Sequence, residues 1–186
     1  MMMPKDSLQQ FKTFVRNREA SFLMSPTRVT ARADIPEAKL STYELTEKKE
    51  GQAFEVPRWV AEVLEESNLV DLSDEAVEAD LFRALQREKL QGSTQLSHID
   101  RDLYLRLRRY LMMLKRRDPR GPHYEKVRVS VQDLITMRLV KIITLAGYTA
   151  QPEPTSLLSP EELLLYREIR ALVSEWRKLV LGEDRR

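Results

Sequence analysis

The sequence contains no cysteine, five glycines and two histidines. The absence of cysteine excludes disulfides and thiolate metal sites and suits a reducing cytoplasm. The glycines, at positions 51, 92, 121, 147 and 182, stand singly, so there is no phosphate-binding loop and no dinucleotide fingerprint. His98 and His123 have no carboxylate or second histidine at ligand spacing and read as surface residues. With no cysteine and no Gly-x-Ser-x-Gly elbow, a nucleophilic hydrolase is not expected. Carboxylates are abundant, but nothing marks an acid/base pair among them. The chain is therefore read as non-enzymatic, with no cofactor and no metal.

Charge of one sign is also lacking. The 31 basic and 29 acidic residues leave +2, which is no footprint for wholesale nucleic-acid binding. Any such role needs a local patch. No apolar run approaches the roughly 20 residues that span a bilayer. Residues 1–20 carry charges throughout and lack a signal-peptide core.

What remains is a chain of 186 residues that is 42% hydrophobic, enough for a core, and 32% charged. That length suggests one domain, or one with a small module. Heavy charging, no cysteine and only two asparagines (Asn17, Asn68) lean towards a thermophile.

The organisation predicted is mainly α: a helical bundle preceded by a small β-rich module. Residues 1–26 read as an extension, with a short amphipathic helix over 6–18 carrying Leu8, Phe11, Phe14 and Val15. Residues 27–72 hold short strand candidates at 27–33, 42–46, 53–56 and 69–72, with Glu50-Gly51-Gln52 as a turn. Pro57 is expected at the first position of a helix to Glu66, with Trp59, Val60, Val63 and Leu64 on one face. A module this small needs to dock on something, because it buries too little to stand alone.

Residues 73–186 read as at least four helices, a bundle. Ser73 is expected to cap the first, which ends at Gly92. Ser97 is expected to start the second, ending before Asp118-Pro119. The third starts at Ser130 or upstream of it and closes at Gly147. Ser159-Pro160-Glu161-Glu162 has the cap, N1 proline and N3 glutamate of a capping box, opening a last helix to about Leu181.

On the last helix Leu165, Tyr166, Ile169, Leu172, Val173, Trp176, Leu179 and Val180 form one stripe. The helix before it is apolar nearly all round. Val131, Leu134, Ile135, Leu139, Ile142 and Leu145 make one arc, and Met137, Val140 and Ile143 lie outside it. Its second face is covered either by another chain or by the small module. The expected partner interface comprises Leu134, Met137, Arg138, Lys141 and Ile142 together with Tyr166, Ile169, Val173, Trp176 and Val180. Arg138 and Glu88 each sit within apolar faces, so either they pair with one another or each snorkels to water.

The helix over 97–117 pairs a core face of Ile99, Leu103, Tyr104, Leu107, Tyr110, Leu111 and Leu114 with a basic face. Arg101, Arg108, Arg109, Lys115, Arg116 and Arg117 are a candidate patch for DNA or an acidic partner, with Leu105 and Met112 among them. The bland alternative is a solvated face paired with acids such as Asp102 to Arg106. A DNA-binding regulator using this face is the competing function.

The chain resembles the GINS family of DNA-replication factors. The resemblance rests on Asp34-Ile35-Pro36, on Val56-Pro57-Arg58-Trp59-Val60-Ala61 with Leu64, and on Asp102-Leu103-Tyr104. It continues in Arg138-Leu139-Val140-Lys141-Ile142 with Leu145-Ala146, and in Leu158-Ser159-Pro160-Glu161-Glu162 with Tyr166. It covers about residues 27–181, and residues 1–26 depart from it. The resemblance implies a small β-rich domain (27–72) ahead of an α-helical domain (73–186), with no active site. It further implies an archaeal subunit, located in the cytoplasm with the nucleoid. Such a subunit would join a helical-domain-first subunit in a 2:2 tetramer, bridging the MCM helicase and a RecJ-like protein.

Overall fold

The computed structural model describes residues 5–72, 75–148 and 156–183. The protein is mainly helical, with a small N-terminal strand region, and it divides into two compact units. The smaller unit spans Lys12–Ala76; the larger takes in Val77–Arg186 with the first residues of the chain.

In the smaller unit β1 (Pro26–Ala31) lies between β4 (Ala53–Pro57) and β5 (Val70–Leu72), antiparallel to both. The alternation read in the sequence puts Val29 and Ala31 inward. The strands β2 (Ala38–Leu40) and β3 (Tyr43–Leu45) form a separate hairpin, and Ser41 at φ 54° turns the chain between them. β2 escaped the sequence reading because three residues show too little periodicity. The helix α2 (Arg58–Glu66) buries Val60, Ala61 and Leu64 against Val29, Ile35, Leu45, Val56 and Val70. Val63, expected on that face, is 42% exposed.

Pro57 is not the first helical residue. It ends β4 opposite Pro26 with extended ψ, and Arg58 N–H donates to the Ser25 carbonyl at 2.9 Å, continuing the strand ladder. The helix α1 runs Lys5–Leu23, five residues past the expected end. Its last turn belongs to this unit: the Arg58 guanidinium stacks 4.8 Å above the Phe22 ring.

The larger unit holds α3 (Glu75–Leu90), α4 (Leu103–Arg117), α5 (Pro122–Gly147) and α6 (Pro160–Leu181). The expected Ser73 cap lies outside the described residues. Val77, Leu81, Ala84 and Leu85 of α3 pack with Ile99, Leu103, Leu107 and Leu114, and with Val127, Val131 and Leu134 of α5. A second cluster joins Leu96, Ile142, Ala146, Leu158 and Tyr166.

The start of α4 moved from the one read, and α5 takes the upstream start, each for a physical reason. α4 starts at Leu103, not Ser97, because Ser97 is buried and its N–H and hydroxyl both donate to Glu88 Oε2, at 3.2 and 2.6 Å. α5 starts at Pro122, eight residues before Ser130, with proline in its first turn, where a missing N–H costs nothing. The capping box of α6 forms as read. Ser159 Oγ accepts from Glu162 N–H (3.2 Å), and Glu162 Oε2 accepts from Ser159 N–H (3.0 Å). Gly182 closes α6 at φ 70°.

Candidate docking face and the charged hub beneath it

Arg138 sits midway along α5 with 1% of its surface exposed. A guanidinium carries five N–H donors in a planar fork, and each has an acceptor here. Nε donates to Glu162 Oε1 (2.6 Å), while Nη2 donates to Glu162 Oε2 (2.8 Å) and Leu157 O (2.9 Å). Nη1 donates to Glu88 Oε2 (2.8 Å) and Ser97 O (2.9 Å). Lys141, one turn on, places Nζ 2.7 Å from Glu88 Oε1 and donates to Glu88 O at 3.0 Å. Tyr104 of α4 donates to Glu162 Oε1 at 2.6 Å. The hub therefore ties together α3, the segment after it, α4, α5 and the start of α6. The Arg138–Glu88 pair exists, and neither side chain reaches water.

The electrostatics follow from the geometry. Burial alone would raise the Glu88 carboxyl, but hydrogen bonds from Lys141 and Ser97 and the charge of Arg138 outweigh it. They hold Glu88 below the ordinary glutamate range. Burial alone would lower the Arg138 guanidinium, yet the bonds and charge of Glu162, with Tyr104 and Glu88 behind it, raise it. Burial, then Glu162, push the Tyr104 hydroxyl up, so it acts as a neutral donor.

The hub corrects half of the expected interface. Leu134, Arg138, Lys141, Ile142 and Tyr166 are each at most 6% exposed and enclosed within the subunit, so none can meet a partner in this fold. Met137, Ile169 and Val173 are half-buried; Trp176 and Val180 are exposed. The buried face of α5 is Val127, Val131, Leu134, Arg138, Ile142 and Ala146, centred on the charged residue. Centring it there turns Ile135 and Leu139, read in the same apolar arc as Leu134 and Ile142, out to solvent.

Outside the hub, apolar side chains of α5 and α6 stand exposed. On α5, Ile135, Leu139 and Ile143 recur every fourth residue and are 45%, 37% and 49% exposed, with Val140 beside them. On α6, Leu172, Trp176, Leu179 and Val180 are each exposed by about 60%. Arg177 Nη2 donates to the Gly147 carbonyl, fixing α6 to the end of α5. Scattered apolar side chains need no explanation, whereas aligned rows on adjoining helices mark an interaction surface. Leu172 and Leu179 already belong to the stripe read in the sequence. Ile135, Leu139, Val140 and Ile143 were legible as the excess of apolar residues around α5, but not as to which were outermost.

Arg101, just before α4, and Arg108, Lys115, Arg116 and Arg117 on it are exposed, and Arg109 is half-buried. Leu105, expected among the arginines, is buried, and Met112 is 38% exposed. Arg106 pairs with Asp80 of α3 (2.5 Å) and Asp100 (3.2 Å). His123 contacts Glu78 at 2.9 Å and lies 3.3 Å from the Tyr110 hydroxyl, an exposed cluster. Among the described residues no group of three or more His, Cys, Asp or Glu could hold a metal ion. No helix there is long and apolar enough to cross a membrane.

A four-helix unit with a charged interior and an uncovered apolar flank defines a helical-bundle assembly subunit. Residues 59–180 match the family model described as the GINS complex protein helical bundle domain. That is about two thirds of the chain, and the protein belongs to the GINS family. Comparison with curated proteins returned no match. The GINS family supplies non-catalytic DNA-replication factors, and membership implies complex formation with other GINS subunits.

Proposed function

We propose that this chain is the GINS subunit of the class with the small β-rich domain first (about 27–72, B-type) and the helical domain second (about 73–186, A-type). It pairs with a helical-domain-first subunit in a 2:2 tetramer. The assembly bridges the MCM replicative helicase and a RecJ-like protein, in an archaeal cytoplasm close to the nucleoid. The observation that carries this reading is the exposed apolar row of α5 and α6, which on this reading meets the neighbouring subunit. The order of the two units along the chain and the heavily charged, cysteine-free composition support the class and source.

Co-expression with a helical-domain-first subunit tests it. The expected product is one species of tetramer mass by light scattering, while the chain alone self-associates. A monodisperse monomer that ignores the second subunit overturns the assignment. Retention of an MCM helicase and a RecJ-like protein on the tagged tetramer tests the bridging role. Recovery of neither limits the protein to the tetramer.

A further inference from the structure

The basic side of α4 takes no part in the hub or in the apolar row. Its fifteen residues include Arg106, Arg108, Arg109, Lys115, Arg116 and Arg117 and no acid. In a chain whose net charge is +2, that is a local concentration. Cations in the last turn offset the negative end of the helix dipole, which accounts for Lys115, Arg116 and Arg117. It does not account for Arg108, more than two turns from the end of the helix. At helical spacing Arg108, Met112, Lys115 and Arg116 share one exposed side, and Arg108 to Arg116 spans about 12 Å at 1.5 Å per residue.

We propose that this side of α4 contacts the phosphate backbone of duplex DNA without reading its sequence. A stripe of about 12 Å matches roughly three phosphates along one strand at 3.4 Å each. The choice of duplex over single strand comes from the aromatics. Single-strand sites add aromatic side chains on which bases stack. The aromatics of α4 are Tyr104 and Tyr110, both half-buried, with their hydroxyls bonded to Glu162 and Glu78. The face offers charge and no stacking platform.

The test uses the full chain assembled with its GINS partner and a fluorescent duplex of about three helical turns, titrated at several salt concentrations. Three phosphate contacts contribute a slope of about −2.7 in log K against log salt, or roughly 40-fold between 50 and 200 mM. The triple variant Arg108→Ala/Lys115→Ala/Arg116→Ala should lose that slope component and bind at least tenfold more weakly at low salt. Arg83→Ala/Arg87→Ala/Lys89→Ala on α3 removes the same charge and should leave both quantities unchanged. Arg108→Lys/Arg116→Lys should bind like wild type, because a phosphate needs the charge and a merely structural contact needs the guanidinium. The proposal falls if wild type shows no salt-dependent duplex binding. It falls too if the α3 and α4 triples lose affinity equally, or if the α4 triple affects a single strand more than a duplex.

Discussion

At residue 138 a cation was placed inside a protein, and the surroundings were built to keep it there. Two buried carboxylates, Glu88 and Glu162, face two buried cations, Arg138 and Lys141, so the interior is neutral in sum. Such pairs add little over a well-packed apolar core, but removing one member strands the others and costs about 3–5 kcal/mol. Glu88→Ala should therefore destabilise the bundle by about that much in chemical denaturation; a variant as stable as wild type would refute the pairing as a structural element. The same carboxyl gives a pH dependence. Its pKa in the fold lies below the ordinary 4.5. Its contribution is therefore complete above about pH 4.5 and disappears as the pH falls through the lowered folded value. A melting curve at pH 6 should differ from one at pH 3 by more in wild type than in Glu88→Gln. The sequence showed that Arg138 and Glu88 sat on apolar faces, but it could not choose between pairing and snorkelling. That choice depended on Ser97 and Glu162, which arrive from other segments, and on Lys141 one turn along α5.

Among the elements, α6 carries the most consequence. Its start is fixed by Ser159, fully buried, and by Glu162, which serves the cap and the hub together. Ser159→Ala removes the oxygen that accepts from Glu162 N–H and should cost about 0.5–2 kcal/mol. Its far end carries the exposed apolar residues. Buried tryptophans are frequent hot spots, so Trp176→Ala should weaken the GINS assembly by at least 2 kcal/mol, about 30-fold, while Arg116→Ala should leave it unchanged. Equal effects in a pull-down titration would move the interface elsewhere. The capping box was legible because it is local, four consecutive residues with fixed roles. The start of α4 was misread because Ser97 has the chemistry of a cap, and its tertiary partner Glu88 decided otherwise. The all-round apolar character of α5 announced that two faces would be occupied. Periodicity put Arg138 within an apolar arc, but which residues fell on each face depended on that arc centring on Arg138 and turning Ile135 and Leu139 outward.

At the scale of the whole molecule, the small unit is larger than a count from Thr27 suggests. It begins at Lys12, within α1, and takes in the Phe22–Arg58 stack. A Phe22→Ala variant, which removes the ring beneath Arg58, should therefore lose protection in the small unit by hydrogen exchange while the bundle keeps its own. Unchanged exchange would make the N-terminal helix an appendage. The family match begins at Trp59, inside this unit, and continues to Val180.

The sharing of one guanidinium by two acids has a consequence for comparing sequences. Positions 88, 138, 141 and 162 are expected to change together: a subunit with a neutral residue at 138 is expected to be neutral at the other three as well, with apolar volume restored in their place. Those four columns then behave as a single inherited character, and a sequence that alters just one of them marks a chain whose helices must be seated by some other means.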